Sequence, residues 1–543
     1  MPSPSDPELP QRSDRSGDSV ADQLWWYRDH RLSQPLVLPE RRWMIRREHV
    51  LDALACLTVS TLCFSQARSE ILLRADHDFY NRIRLGAPTL LALMVSLLAV
   101  AAVGFVSVQV TRRVPRLGWL RLGAVAAAAS LLISLNFVRI THETLGEWID
   151  AVGRPGLLTF VVLVLAASVA WPRPSLRVMR RFLLIVSPLA VLTLLHITWM
   201  FLEITAGPAW RDLSGEPLKQ GAPSLRRVVW LVFDELDHRI AFEKRPSDLE
   251  LPELDRLKRE SLYADAARPP AGSTELSMPA LITGRPVVAV APGSPNDLDL
   301  TFADGKPASW SSFPNVFSRA RALGYDTAVI GWQLPYPRVL GDALGAAAFR
   351  PSVVYEQARG ASFTEAIWNQ WDGLVPPMHV RRLLAQRVAE LRDLAIRTAS
   401  DGRFGLVLLH LPIPRTPGIY ERATGRLTTR NFAAADQAYL DNLALADRVI
   451  GDLRRRLDRT RLDDRTWIVV SSVRGTPVPF LVRPPEGGRT VHVDAPFNTL
   501  ATHDLVLGIL RGSINDASEA ANWLARWPVA PPKSYTREGR PIY

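Results

Sequence analysis

The residues best placed to do chemistry stand at the ends of apolar runs. Arg227-Val-Val-Trp-Leu-Val-Phe233 leads directly into Asp234-Glu-Leu-Asp237. A continuous apolar run ending in acid is how a buried parallel strand delivers a carboxylate to the C-terminal edge of its sheet. Glu235 and Asp237 either assist Asp234 or serve as solvated acids and caps of the next helix. His410 closes a second run, Phe404–His410, with Arg415 shortly after it. Arg474 follows a third run, Thr466–Ser471.

Other polar residues have plainer readings. His492 and His503 read as structural or superficial, Asp447 as a packing residue on its helix, Thr283-Gly284 as a turn and Asp463-Asp464 as a loop before a strand. The two cysteines, Cys56 and Cys63, share one helix face inside an apolar span and read as small buried hydrophobes.

These side chains need a scaffold that brings strand ends together. Thr327–Gly331 is a further apolar run, and Val478–Val482 reads as one more strand. Helical periodicity fills the intervals, over Val380–Arg397 and Asp436–Leu457. Alternation of this kind predicts an α/β sandwich with a mostly parallel sheet, spanning 225–512. The segment 513–543 reads as a tail with a short helix, Ala517–Arg526, and a Pro-rich end.

The N-terminal half is of another kind. Residues 1–45 are polar and cannot bury a core. Between 46 and 205 lie five apolar stretches, roughly Val50–Ser65, Gly86–Val110, Trp119–Val138, Gly156–Trp171 and Phe182–Ile204. A helix crosses the hydrocarbon of a bilayer with about 20 apolar residues, so an α-helical transmembrane bundle of about five helices is expected, followed by a linker, 206–224. Arg41, Arg42, Arg46 and Arg47, then Arg112, Arg113 and Arg116, then Arg173, Arg177, Arg180 and Arg181 flank alternate ends of these stretches. Positive loops stay inside, which places the C-terminal domain outside, on the periplasmic face of an inner (cytoplasmic) membrane. Asp52, within the first stretch, must face the bundle or the interface. The net charge of +11 follows from these flanking arginines, and no nucleic-acid motif accompanies it.

The strand ends, taken together, resemble the alkaline phosphatase and sulfatase superfamily, and the five-span layout resembles its membrane-anchored phosphoethanolamine transferases and lipoteichoic acid synthases. Four segments carry the resemblance: Val228–Asp237, Ser273–Gly284, Leu409–Pro417 with Tyr420, and Tyr439–Leu457 with Asp447 and Gly451. It implies a metal ligand at Asp234 and a hydroxyl nucleophile at Thr274, with Ser273 or Ser277 as alternatives. It also implies a divalent ion, zinc or manganese, that stabilises charge on a transferred phosphate or sulfate. The chain departs from the pattern at two places. Where relatives read Ser-Asp-His-Gly it reads Ser472-Val-Arg-Gly475, and where they carry a histidine it carries Arg415. Valine cannot ligate a metal and arginine does not. The ligand set is thus incomplete, with His410, His492 and His503 the histidines left to recruit.

Two functions follow from this reading. One is a membrane-bound hydrolase or transferase of phosphate or sulfate esters, with Thr274 as nucleophile, Asp234 as ligand, and Arg415, Arg474 and His410 lining the substrate site. The other is a catalytically inactive sulfatase-like protein that binds an anionic lipid head group or an envelope glycan. Membrane lipids are partners in both.

Overall fold

The computed structural model describes residues 47–73, 86–113, 162–206 and most of 226–527, with a few isolated positions besides. The stretch Trp119–Val138, the polar residues 1–45 and the linker 207–224 lie outside the described residues, as does part of Gly156–Trp171.

The sheet has eight strands: β1 (Arg227–Asp234), β2 (Leu262–Ala264), β3 (Asp326–Trp332), β4 (Ala346–Arg350), β5 (Phe404–Pro414), β6 (Thr466–Ser472), β7 (Phe480–Arg483) and β8 (Val491–Val493). Their order is β8-β2-β7-β6-β1-β5-β3-β4. The five strands from β6 to β4 run parallel, and β7 pairs antiparallel with both β6 and β2. Strands β1, β3, β5 and β6 are buried along their whole length, which explains why their central residues are apolar in unbroken runs rather than at alternate positions. Successive side chains go to opposite faces. Val228, Trp230 and Val232 join one core layer, while Val229, Leu231 and Phe233 join the other. The expected sandwich with a mostly parallel sheet is therefore present.

Nine helices carry the argument. They are α1 (Arg47–Cys63), α2 (Ala87–Arg113), α3 (Pro172–Ala206), α4 (Pro252–Glu260), α5 (Thr274–Thr283), α6 (Phe363–Asp372), α7 (Pro376–Ala399), α8 (Ala435–Arg459) and α9 (Thr502–Arg511). Among the described residues, two helices are long and apolar enough to cross a membrane, α2 and the Arg173–Glu203 part of α3. A third span is formed if α1 is joined to Ser65–Leu72 across a 75° bend. The stretch expected as Val50–Ser65 is thus helical as far as Cys63, and the break falls at its end, at Phe64.

A second correction concerns Arg173, Arg177, Arg180 and Arg181. They lie on α3 itself, which starts well before the apolar stretch expected from Phe182. Asp52 faces the bundle, almost fully buried, and pairs with Arg112 at 2.7 Å and Arg180 at 3.1 Å. Gln109 adds a hydrogen bond at 3.3 Å. One end of the bundle therefore gathers the start of α1, the end of α2 and the basic start of α3.

Candidate functional site

Sheet order builds the site. Because β1 lies between β6 and β5, the residues that follow those two strands flank the carboxylate that ends β1. Asp234 is fully buried; one oxygen faces Arg474 Nη2 at 3.3 Å and the other Arg415 Nη1 at 3.3 Å. Arg474 also reaches Glu235 at 3.0 Å. The register between β1 and β5 shifts at Asp234, which sits opposite Pro414 and so brings Arg415 alongside. Two acids and two guanidiniums balance one another at the sheet's C-terminal edge.

The backbone around this cluster is tightly specified. Glu235 is left-handed, at φ 72°, an unfavourable conformation for a residue with a side chain. Tyr439, on α8, holds that turn: its hydroxyl donates to Glu235 O at 2.9 Å and accepts from Asp237 N at 3.0 Å. One turn further along α8, Asn442 donates to Arg415 O at 2.8 Å and Pro417 O at 3.0 Å, and accepts from Ile419 N at 3.0 Å. Asn442 is fully buried, and it fixes the loop that presents Arg415. Sequence reading missed it. The signal was an asparagine three residues after Tyr439 on an otherwise apolar helix face.

On the other flank, His410 is buried on β5 and its Nδ1 lies 2.8 Å from the Tyr336 hydroxyl. Burial lowers its pKa to about 4, against the smaller opposing pull of Asp234 and a backbone hydrogen bond to Trp332. It is a neutral imidazole. Burial, reinforced by Asp234, likewise pushes the Tyr336 phenol upward. A Cβ on Gly331 would lie 2.2 Å from the Tyr336 ring, so only glycine lets that ring settle on β3.

Thr274 is the first residue of α5, 1 % exposed, and its hydroxyl has no hydrogen-bond partner among the described residues. Its neighbour Glu275 bonds Gln333, just past the end of β3, which ties the start of α5 to the strand edge that also carries His410 and Asp234. Arg474 Nε and Trp332 Nε1, both near this edge, are likewise buried without partners. All three groups can donate to an anion. Of the alternatives for Thr274, Ser277 is committed to Ala271 O at 2.9 Å. Ser273 is the residue before the helix and makes no side-chain cap.

Several residues lie elsewhere or have another use. Val473 is buried in the core. Asp447 accepts from Leu254 N at 2.7 Å and Glu253 N at 3.3 Å, capping α4, and burial raises its pKa to about 6. Gly451, on the same helix, lets Glu253 approach where a Cβ would meet it at 2.8 Å. Asp237 accepts from Arg239 N at 2.8 Å and Ile240 N at 3.2 Å, the capping use anticipated for it. His503 is buried, bonded to Asp504 at 2.8 Å and packed on Gly284, which closes α5 in a left-handed turn. His492 lies between Asp265 at 3.0 Å and Asp494 at 2.8 Å, on the surface. Among the described residues, those three form the one group of metal-ligating side chains close enough to share an ion.

A mostly parallel sheet with acid, hydroxyl and guanidinium groups near its C-terminal edge defines the class: an α/β domain with its polar side chains gathered at one sheet edge. Residues 226–479 match the family model described as sulfatase, so this part of the chain is a sulfatase-like domain. Solved structures similar to the chain include a sulfatase from Pseudoalteromonas sp. (15% identity, 60% of this chain and 74% of the other, TM-score 0.37). A phosphonate monoester hydrolase from Silicibacter pomeroyi is similar at 14% identity over 53% of this chain and 73% of its own, with TM-score 0.37. A protein of the alkaline phosphatase superfamily from Vibrio parahaemolyticus is similar at 12% identity, covering 55% and 69%, with TM-score 0.35. No curated protein matches the chain.

Proposed function

We propose that this protein is an integral membrane sulfatase-like hydrolase or transferase of phosphate or sulfate esters, working on the outer face of the membrane. The observation that carries the reading is the clasp of Arg415 and Arg474 on Asp234 at the sheet edge. The edge also holds unsatisfied donors and the N-terminus of α5. An ester anion entering there is bound by the two guanidiniums, with Asp234 keeping its place behind them. Thr274 supplies the nucleophile, and the first N–H groups of α5 favour negative charge beside it.

A divalent ion does not fit these residues. Both oxygens of Asp234 face cations, Val473 is a core side chain, and the group of residues able to share an ion lies at His492. The arginines therefore supply the positive charge in this reading. The bundle supports placement in a membrane: the exposed surfaces of α2 and α3 include Val103, Val106, Ile185, Leu189 and Trp199. The arginine-rich end of the bundle fits the cytoplasmic side, with the domain periplasmic.

The same loss of ligand-type residues favours a second reading, an inactive domain that binds an anionic head group or glycan. Purified full-length protein, treated with chelator, separates the two in assays with an aryl phosphate and an aryl sulfate. Turnover that survives chelation and falls at least 100-fold in Thr274→Ala supports the enzyme. Phosphate binding that depends on Arg474, without turnover, supports the binding protein. Loss of turnover on chelation, restored by zinc or manganese, would overturn the metal-free site.

A further inference from the structure

We infer that α6, Phe363–Asp372, is a membrane-seating helix: the partner of its exposed tryptophan face is the lipid bilayer around α2. The inference rests on the reading that α2 crosses a membrane. Helix α6 is set off by a capping box, in which Ser362 accepts from Glu365 N while Glu365 accepts from Ser362 N. Its inner side buries Ala366 and Gln370. Gln370 Nε2 donates to Thr89 O at 3.1 Å, and its Oε1 accepts from Ser96 at 3.4 Å, so the helix is bonded to the flank of α2. Trp371 adds an edge contact with Phe64, at 5.6 Å between centroids.

The outer side carries large apolar groups after a polar first turn of Thr364 and Glu365. Trp368 is 65% exposed, Trp371 42% and Leu374, just beyond the helix, 40%. Helix α6 carries two acids, an exposed Glu365 one turn before Trp368 and a half-buried Asp372. Glu365 is folded into the capping box, and Asp372 pairs with Arg382 at 3.0 Å and with the buried His379 at 2.6 Å. The turns of α2 that α6 touches also expose Leu91, Val95 and Leu98. Tryptophan face and span surface are therefore continuous, and a bilayer that wets one reaches the other. Thr89 and Ser96 lie within roughly 15 Å of the start of α2, about the depth of one leaflet at 1.5 Å per residue. Tryptophan favours this boundary, and a short amphipathic helix lies flat in it.

The seating also aims the domain. Helix α7 follows α6 almost at once. Its last residue, Ala399, bonds Arg227 at the start of β1, whereas Glu390 pairs with Arg350 at the end of β4. From Ala399 back to Pro376 the helix rises about 35 Å, against about 23 Å for β1, so its start stands roughly 11 Å beyond the C-terminal edge of that strand. That edge, with Asp234 and the two arginines, therefore faces the bilayer.

The test uses the full chain in lipid nanodiscs, with Cys56→Ala and Cys63→Ala, carrying one environment-sensitive fluorophore at a time. Labels are placed at Trp368→Cys, Val103→Cys on the exposed side of α2, and Arg459→Cys beside the sheet's far edge. Expected are blue-shifted emission and quenching by nitroxide lipids at 368 and 103, and neither at 459. Absence of lipid quenching at 103 would sink the membrane reading itself. Quenching at 103 with water-like emission at 368 would overturn the seating helix alone. Blue-shifted emission at 368 without lipid quenching would mean that protein covers the face, and would overturn it too. In unlabelled protein, Trp368→Phe should remove part of the tryptophan quenching by brominated lipids, which reads the same contact with the helix left intact.

Discussion

At the scale of single residues, Asp234 is the position on which the site turns. A buried carboxylate that loses one cationic partner keeps its desolvation cost, so Arg474→Ala should destabilise the domain by about 1–3 kcal/mol. Asp234→Asn added to that variant should recover part of the loss, in a double-mutant cycle read by thermal unfolding; additive losses would mean that the pairing is superficial. A second residue-scale prediction concerns pH. Asp447 is raised to about 6 from 3.8, so its contribution to stability is present below the lower value and lost as pH rises through the higher. His410 is lowered from 6.5 to about 4, so its contribution is present above 6.5 and lost as pH falls toward 4. The two slopes oppose each other over nearly the same interval. Asp447→Asn should expose the histidine's slope, making stability fall toward acid by about 3 kcal/mol more than in the wild type across that interval. Equal pH profiles for the two proteins would refute the assignment. The acid at the end of β1 was legible because its run of apolar residues announces a buried strand. Its pairing with Arg415 and Arg474 was not, because it depends on β1 lying between β6 and β5.

At the scale of elements, the strands buried on both faces were legible as apolar runs, and the helices α7 and α8 as periodic ones. Strands β2, β4 and β8 were missed. They are three to five residues long, and β4 is mostly alanine, so none contrasts with its surroundings. Helix α6 was missed as well, although the spacing of Ser362 and Glu365 is a start signal that the sequence carries openly. What the missed parts share is that their partners are distant in sequence. Asn442 shows the consequence. It touches neither Asp234 nor a guanidinium, yet it anchors three backbone groups of the loop that carries Arg415. Asn442→Leu should leave those groups unsatisfied, costing about 2–4 kcal/mol by thermal unfolding. Phosphate binding should weaken in step with Arg415→Ala. Gly331→Ala tests the opposite flank: with its new methyl group inside the Tyr336 ring, it should cost about 1–3 kcal/mol. Arg474 should be unaffected by it, so the loss should add to that of Arg474→Ala.

At the scale of the whole molecule, the two ends of α2 differ in what they meet. Its C-terminal end carries Arg112 into the pairing with Asp52 and Arg180, while its N-terminal turns meet α6 of the sulfatase-like domain. Between Thr89 and Arg112 the helix rises about 35 Å, enough for the hydrocarbon of a bilayer. Charge and domain thus meet opposite ends of one apolar helix. The sequence puts Asp52 just after Arg46 and Arg47, at the charged end, but nothing in its own span says which neighbours face it. If the charged end is cytoplasmic, a cysteine at Arg459 should react with an impermeant maleimide in intact spheroplasts, whereas one at Arg113 should react only after lysis. Both variants would carry alanine at Cys56 and Cys63. Reaction of Arg113→Cys in intact spheroplasts, with protection of Arg459→Cys, would invert the protein in its membrane and place the ester site in the cytoplasm. Asp52→Asn gives the energetic counterpart. It leaves Arg112 and Arg180 facing each other without the acid between them, so the bundle should loosen and thermal unfolding in detergent should begin earlier than in the wild type. The unfolding of the α/β domain, whose cores share no residue with that end of the bundle, should stay where it was.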